Sequence, residues 1–203
     1  MSKTPSFQPQ RALITGATAG IGKATSFELA QLGCELILLG RRQNRLEQVR
    51  TEIKALYPVE VHIFNMDISK REKCEEFVKN EQRLLLGVDL LVNNAGLAKG
   101  LQSFQEAELQ DWDVMIDTNV KGLLYLTRLL LPFMLQNQRG HIVNVGSVAG
   151  RWAYPKGAVY CATKFAIRAI SESLRMDLFG TPLRVTNIEP GMVETEFSDC
   201  LLY

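Results

Sequence analysis

The chain has 203 residues, 46% of them hydrophobic, and 23 basic against 22 acidic residues give a formal net charge of +1. That length suits one domain with a sizeable core rather than two. The even charge balance, with no long charged block, removes any electrostatic case for nucleic acid or an anionic membrane. A small-molecule partner is expected instead.

Cys34, Cys74, Cys161 and Cys200 lie far apart and match no zinc or CxxC spacing. They read as free thiols of a reducing compartment, and no metal is expected. The polar lead of residues 1–10, MSKTPSFQPQ, has no apolar centre of the signal-peptide kind, and no apolar run approaches a membrane span. The expectation is a soluble cytoplasmic chain forming a single domain over residues 1–203.

From Arg11 onward, short apolar runs alternate with longer amphipathic ones. The runs RALIT, ELILLG, VEVHIFNM, VDLLVNN, HIVNVGS and LRVTNIE have strand length and are rich in Val, Ile and Leu. Helices are predicted between them over 21–32, 42–56, 70–86, 110–136 and 158–179. Strands alternating with helices imply a parallel sheet, because parallel neighbours need crossover connections that lay helices on both faces. Near-continuous apolar strands fit burial on both sides. The fourth helical stretch is longer and more apolar than one sheet face requires. We expect it to be a buried central helix whose outer face meets a second copy, in a homo-oligomer built through 110–136 and 158–179.

After the first strand comes TGATAGIGKAT, with glycines at 16, 20 and 22. Gly16 lets the strand turn sharply, the bare backbone lets a pyrophosphate approach, and Gly22 lets the helix sit close to the sheet. The helix N-terminus adds unpaired N–H groups and partial positive charge. The spacing is GxxxGxG rather than GxGxxG, but its place between the first strand and the first helix points to dinucleotide binding.

The second strand ends in GRRQNRL, about twenty residues past the first glycine, where an acidic residue would receive the ribose hydroxyls of NAD. Gly40, Arg41 and Arg42 stand there instead. A guanidinium can bind a 2′-phosphate bidentately whereas a carboxylate would repel it, so NADP is favoured. Arg41 is the better candidate ligand, since Arg42 is equally read as the solvated start of a helix.

Later in the chain, Tyr160 and Lys164 are four apart and share a helix face about one turn apart, roughly 6 Å. Ser147 ends the fifth apolar run. A phenol beside an ammonium is expected to have a lowered pKa, and a serine hydroxyl aimed at the same spot could hold a substrate oxygen. These are the parts of a proton-transfer site for an alcohol or carbonyl. His62 and His141, on strand-like runs without ligand-spaced partners, read as structural. Trp112 and Trp152 are each open to a core or a pocket-wall role.

With TGATAGIG at 15–22, NNAG at 93–96, Asn119 in TNVKG, Ser147, YCATK at 160–164 and PGMVET at 190–195, the sequence resembles the short-chain dehydrogenase/reductase family. The runs GRRQNRL, LVNNAGLAKG, DWDVMIDTNVKGLLYLTR, GHIVNVGSVAG and RVTNIEPGMVETEFS look further like its NADP-dependent 3-hydroxy acid dehydrogenases of the serine type. The resemblance implies an α/β, Rossmann-like doubly wound sheet of six visible strands in the order 3-2-1-4-5-6. It implies a catalytic group of Asn119, Ser147, Tyr160 and Lys164, with Asn119 keeping a water in a relay to Lys164. Cofactor contacts would come from Gly16, Thr18, Gly20, Ile21 and Gly22, from Arg41 and Arg42, from Asp67 and Ile68 near the adenine, and from Asn93 and Ala95. Tyr160 and Lys164 join them, with Ile188, Pro190, Gly191 and Thr195 around the nicotinamide.

The implied reaction is hydride transfer between NADP and a small hydroxy or carbonyl substrate, with Tyr160 as acid and base. Ser147, Gly150, Arg151 and Trp152 are substrate-site candidates, and Arg151 or Lys99 could meet an acid group or be plain surface charge. The resemblance implies a helical lid and a last strand beyond this point, and the sequence stops at DCLLY before either: a segment removed or left out of this sequence is one reading, a short form the other. The alternative reading is a catalytically weak nucleotide-binding or interaction protein that kept the scaffold.

Overall fold

The apolar runs fold as strands whose successive side chains face opposite ways, so a continuous hydrophobic run feeds two cores at once. The computed structural model describes residues 7–196; Cys200, the first six residues of the polar lead and the DCLLY terminus lie outside the described residues. The strands are β1 (Arg11–Thr15), β2 (Glu35–Gly40), β3 (Val61–Asn65), β4 (Leu90–Asn93), β5 (Gly140–Val145) and β6 (Leu183–Ile188). All pair in parallel, in the order β3-β2-β1-β4-β5-β6, which is the Rossmann-like order expected.

The helices are α1 (Gly20–Gln31), α2 (Gln43–Leu56), α3 (Arg71–Asn80), α4 (Gln82–Leu85), α5 (Leu109–Ile116), α6 (Leu123–Gln136) and α7 (Ala158–Asp177). On one face, Ala12, Ile14, Leu36 and Leu38 pack with Leu29 of α1 and Leu46, Val49 and Ile53 of α2. On the other, Leu13, Ile37, Leu39 and Ile142 pack with Phe77 of α3 and Leu126, Leu130 and Met134 of α6. Full burial of each large apolar side chain is worth about 1.5–3 kcal/mol. Cys34, Cys74 and Cys161 are buried free thiols.

Two predicted helices differ in detail. The stretch expected over 70–86 is broken at Glu81, whose backbone leaves the helical range (φ −106°, ψ 21°). The stretch over 110–136 is helical throughout, but residues Asp117–Gly122 form a wider π turn between α5 and α6. Insertions of this kind occur at functional sites because they re-aim side chains without ending the helix. Here the turn carries Asn119, 1% exposed, into the interior.

β1 is first in sequence yet sits between β2 and β4, at the point where the strand order reverses. Its start is anchored by Asp89, just before β4, which accepts from the backbone N–H groups of Gln10 and Arg11 and pairs with Arg139. In open parallel sheets, ligands bind in the crevice beyond the strand C-termini at such a reversal. Among the described residues, no helix is long and apolar enough to cross a membrane.

Candidate active site

A cleft of about 760 Å³ opens along the C-terminal ends of the strands. Each strand hands one short segment to it: Gly16 to Ile21 after β1, Gly40 to Arg42 after β2, Met66 to Ile68 after β3, Asn94 to Leu97 after β4, Val145 to Ser147 at the end of β5, and Pro190 and Gly191 after β6. Tyr160 and Lys164 enter from α7, and Val193, Thr195 and Glu196 close one side.

The glycine loop owes its shape to close approaches. Gly16 has φ +66°, in the left-handed region, and a Cβ there would lie 2.9 Å from the Ala95 Cα. A Cβ on Gly22 would lie 2.4 Å from the Gly16 carbonyl oxygen, a backbone atom that cannot rotate away. Asn94 fastens the loop from the other side, its Nδ2 donating to the carbonyls of Thr15 and Gly16. The N-terminus of α1 has no side-chain cap and no acidic residue in its first turn. Its end is thus open to an anion.

At the far end of the cleft stand Arg41, Arg42 and Arg45. Arg42 donates to Thr18 Oγ1 at 2.8 Å and pairs with Glu196 at 3.0 Å, and Arg45 lies 3.6 Å from the same carboxylate. The hydrogen bond from Arg42 holds the Glu196 carboxyl below the usual carboxylate range. Arg45 was not foreseen. Its signal was its spacing, three residues beyond Arg42, which on a helix start returns it to the same side.

At the other end, Ser147 opens the turn of Val148–Gly150, its Oγ accepting from the Ala149 N–H at 3.1 Å. Tyr160 and Lys164 lie on α7, whose buried face also includes Cys161, Ile167 and Ser171. Lys164 Nζ donates to the Val145 carbonyl at 2.9 Å and stands 5.7 Å from the Tyr160 ring centre. Its burial pushes the ammonium down to about 8.

The expected lowering of Tyr160 is not found. Burial raises the phenol above its ordinary value, opposed by a hydrogen bond from Ser147. In a buried site, removing water from the phenolate outweighs the favourable neighbours.

Asn119 does not line the cleft but lies beneath it. Its Oδ1 accepts from Leu97 N–H at 2.8 Å, and its Nδ2 donates to the Leu97 carbonyl and to Thr163 Oγ1. It therefore joins the loop after β4 to α7 between Tyr160 and Lys164.

Of the other expected contacts, Gly16, Thr18, Gly20, Ile21, Arg41, Arg42, Asp67, Ile68, Ala95, Pro190, Gly191 and Thr195 all line the cleft. Gly22 and Asn93 do not. Gly22 is packed into the loop, and Asn93, 5% exposed, is in the core with its Nδ2 donating to Thr127 and Asn144. Its neighbour Asn94 takes the cleft position. Ile188 ends β6 and accepts from Gly146 N–H rather than facing the cleft.

Gly150, Arg151 and Trp152 also lie outside it. Gly150 packs where a Cβ would lie 2.7 Å from the Lys164 carbonyl, Arg151 is ion-paired to Glu189, and Trp152 is 68% exposed. A smaller cleft on the far side of Tyr160 is lined by Lys99, Phe104, Trp112 and Lys156, with Lys99 held 3.1 Å from Asp111. Trp112 is thus a pocket wall. His62 bonds to Glu35 and His141 to Thr186, away from both clefts. Among the described residues, no group of three or more His, Cys, Asp or Glu side chains is placed to hold a metal.

Residues 10–201 match the family model described as short chain dehydrogenase. The chain is 46% identical over 188 residues to the NADP-dependent 3-hydroxy acid dehydrogenase YdfG of Escherichia coli K12, covering 92% of this chain and 74% of that protein. It is 43% identical over 187 residues to sulfoacetaldehyde reductase 2 of Chromohalobacter salexigens, covering 92% and 73%. The closed form of a serine dehydrogenase complexed with NADP+ superposes with a TM-score of 0.89 at 44% identity, over 95% of this chain and 77% of that one.

Proposed function

The chain belongs to the short-chain dehydrogenase family, as an NADP-dependent oxidoreductase, and from that premise we propose that Tyr160 moves the proton at a small hydroxy or carbonyl substrate of the 3-hydroxy acid class. The observation that carries this reading is the convergence of Ser147, Tyr160 and Lys164 at one end of a cleft whose other end holds three guanidiniums.

The residues fit the cofactor. The glycine loop is packed tightly, since a Cβ at Gly16 or Gly22 would meet backbone atoms, and the α1 N-terminus that it leads into is uncapped, leaving N–H groups for a pyrophosphate. Arg41 makes no hydrogen bond or ion pair among the described residues, and with Arg42 and Arg45 it offers charge for a 2′-phosphate. NADP, when bound, supplies the acceptor or donor of hydride.

The chain's own residues do the rest. Ser147 orients the substrate oxygen and donates toward the charge that develops on it. In oxidation Tyr160 takes the hydroxyl proton, and in reduction the same phenol returns it. Lys164, fixed by the Val145 carbonyl, places a positive charge behind the phenol. Asn119 has both amide hydrogens given to protein, so it braces α7, and any water it passes to Lys164 is held by its main chain.

For an acid group, Lys99 is better placed than Arg151 because it lines the smaller cleft beside Tyr160 whereas Arg151 lines neither cleft; both are ion-paired, Lys99 to Asp111 and Arg151 to Glu189. The test is to follow NADPH formation with 3-hydroxy acids, simple alcohols and sugars, with NAD in parallel. The expected result is turnover with NADP, fastest on a 3-hydroxy acid. A preference for sugars or simple alcohols removes the substrate class, and no turnover on any of them favours the scaffold-only alternative.

Helices α5 to α7 carry the proposed contact between copies, with Leu109, Ile116, Leu124, Phe165 and Met176 exposed on them. Sedimentation velocity is expected to give a dimer or tetramer. A monomer at micromolar concentration removes this proposal.

A further inference from the structure

We propose that Thr127, Asn93, Asn144 and Ser171 form a buried polar brace that fixes the helix carrying Asn119 against the helix carrying Tyr160 and Lys164, which makes Thr127 and Ser171 positioning residues for turnover. The inference rests on the catalytic reading of Tyr160 and Lys164 given above.

The four side chains come from four elements: α6, β4, β5 and α7. All are buried, at 5%, 5%, 0% and 0% exposure in the order named. Asn93 and Asn144 are register partners on neighbouring strands, so their side chains leave the sheet on the same face. Asn93 Nδ2 donates to Thr127 Oγ1 and to Asn144 Oδ1, each at 2.9 Å. Asn144 Nδ2 donates to Ser171 Oγ at 2.8 Å, and the Ser171 hydroxyl donates back into its own helix at the Ile167 carbonyl. The chain of bonds thus runs from α6 through two strands to α7 without a gap.

Its position gives it a mechanical role. Asn119 and Thr127 lie on one continuous helical run, α6 and the π turn that leads into it. Lys164 and Ser171 lie seven residues apart on α7, on its buried face. At the cleft the two runs are already joined by Asn119 Nδ2 donating to Thr163 Oγ1. Near the cleft, α5 and the π turn also pack on α7, and the brace adds a polar link farther along, where α6 and α7 are joined through the strands.

Polar contacts serve this better than apolar ones. Sliding either helix by a residue would leave buried donors and acceptors unpaired, whereas an apolar contact would re-form. Lys164 Nζ is itself held by the carbonyl of Val145, the residue after Asn144, so the brace and the catalytic lysine take their position from the same stretch of β5.

The test compares Thr127→Val, which keeps shape and removes the acceptor, with Thr127→Ser, which keeps the hydroxyl, and with Ser171→Ala. Turnover, KM, NADPH affinity and thermal midpoint are measured for each and for the double variant T127V/S171A, with Tyr160→Phe alongside. Misplacement of reacting groups predicts that kcat falls about tenfold or more in T127V and S171A. KM and NADPH affinity should stay within about twofold, and T127S should remain near wild type. The double variant should lose no more than the worse single one, since either end opens the same brace.

Folded T127V and S171A proteins with wild-type kcat would overturn the inference, as would a T127S loss equal to that of T127V or an additive double loss. Where T127V does not fold, S171A carries the comparison. Wild-type turnover in Tyr160→Phe would instead remove the catalytic reading, and the inference with it.

Discussion

Tyr160→Phe is expected to bind NADPH as the unaltered chain does and to lose turnover by about 10³-fold. The ring remains to pack in the wall between the two clefts that Tyr160 lines, and only the exchangeable proton is removed. Burial holds the Tyr160 phenol above its ordinary pKa, against the hydrogen bond from Ser147. A raised value leaves the phenol protonated at neutral pH, ready to donate in reduction, while oxidation needs the phenolate and should rise toward alkaline pH. The variant should lose that pH limb along with its rate. Steady-state rates in both directions and an NADPH fluorescence titration check this, and a rate within tenfold of wild type would sink the assignment.

Lys164→Met is expected to lower turnover by about 10²-fold and, in the same protein, to raise stability at neutral pH. Lys164 is 6% exposed, its ammonium donates to the Val145 carbonyl, and it has no carboxylate partner among the described residues. Burial alone pushes it down to about 8 from 10.5. Below about pH 8 it is charged in both the folded and unfolded chain, and the full cost of burying that charge stands. Between there and 10.5 the folded chain has lost the proton that the unfolded chain keeps, so stability climbs with pH through that window.

The ceiling on this cost is about 3 kcal/mol, from a shift of about two and a half pH units. Methionine fills similar space with no charge to bury, so the variant should melt higher near neutrality and lose the climb. Thermal midpoints of both proteins from about pH 6 to about 10 measure it. A methionine variant that melts lower near neutral pH would contradict the argument. The lysine is then a case of stability given up for a working site.

The sheet was legible because its strands are continuous apolar runs punctuated by glycine and polar residues, and the glycine loop because a close backbone approach has few sequence solutions. The cleft ends followed from the motifs. What escaped the sequence depends on burial or on contacts between distant residues. The direction of the Tyr160 shift was missed because the removal of water is a property of packing. Arg151 was expected near substrate, and its partner Glu189 lies 38 residues away. Asn93 and Asn94 are adjacent and identical, and only strand alternation, with its register fixed by β5, decides which one reaches the cleft. The π turn around Asn119 leaves no mark in a helical pattern, since both neighbouring segments keep helical periodicity.

The central place of β1 has a consequence for how the chain is made. Synthesis delivers β1, β2 and β3 in order, and these can pair as they emerge. The other edge of β1 has no partner until β4 has been made, and the Asp89 anchor reaches back 79 residues to Gln10. Until then a strand whose last four residues are buried in the finished protein carries an open row of backbone donors and acceptors, the kind of edge that recruits foreign strands. Joining the two halves of the sheet is therefore a non-local and comparatively slow step. The middle of the sheet, where the cleft forms, closes only after the β3-β2-β1 half has been made, and β5 and β6 are added beyond it.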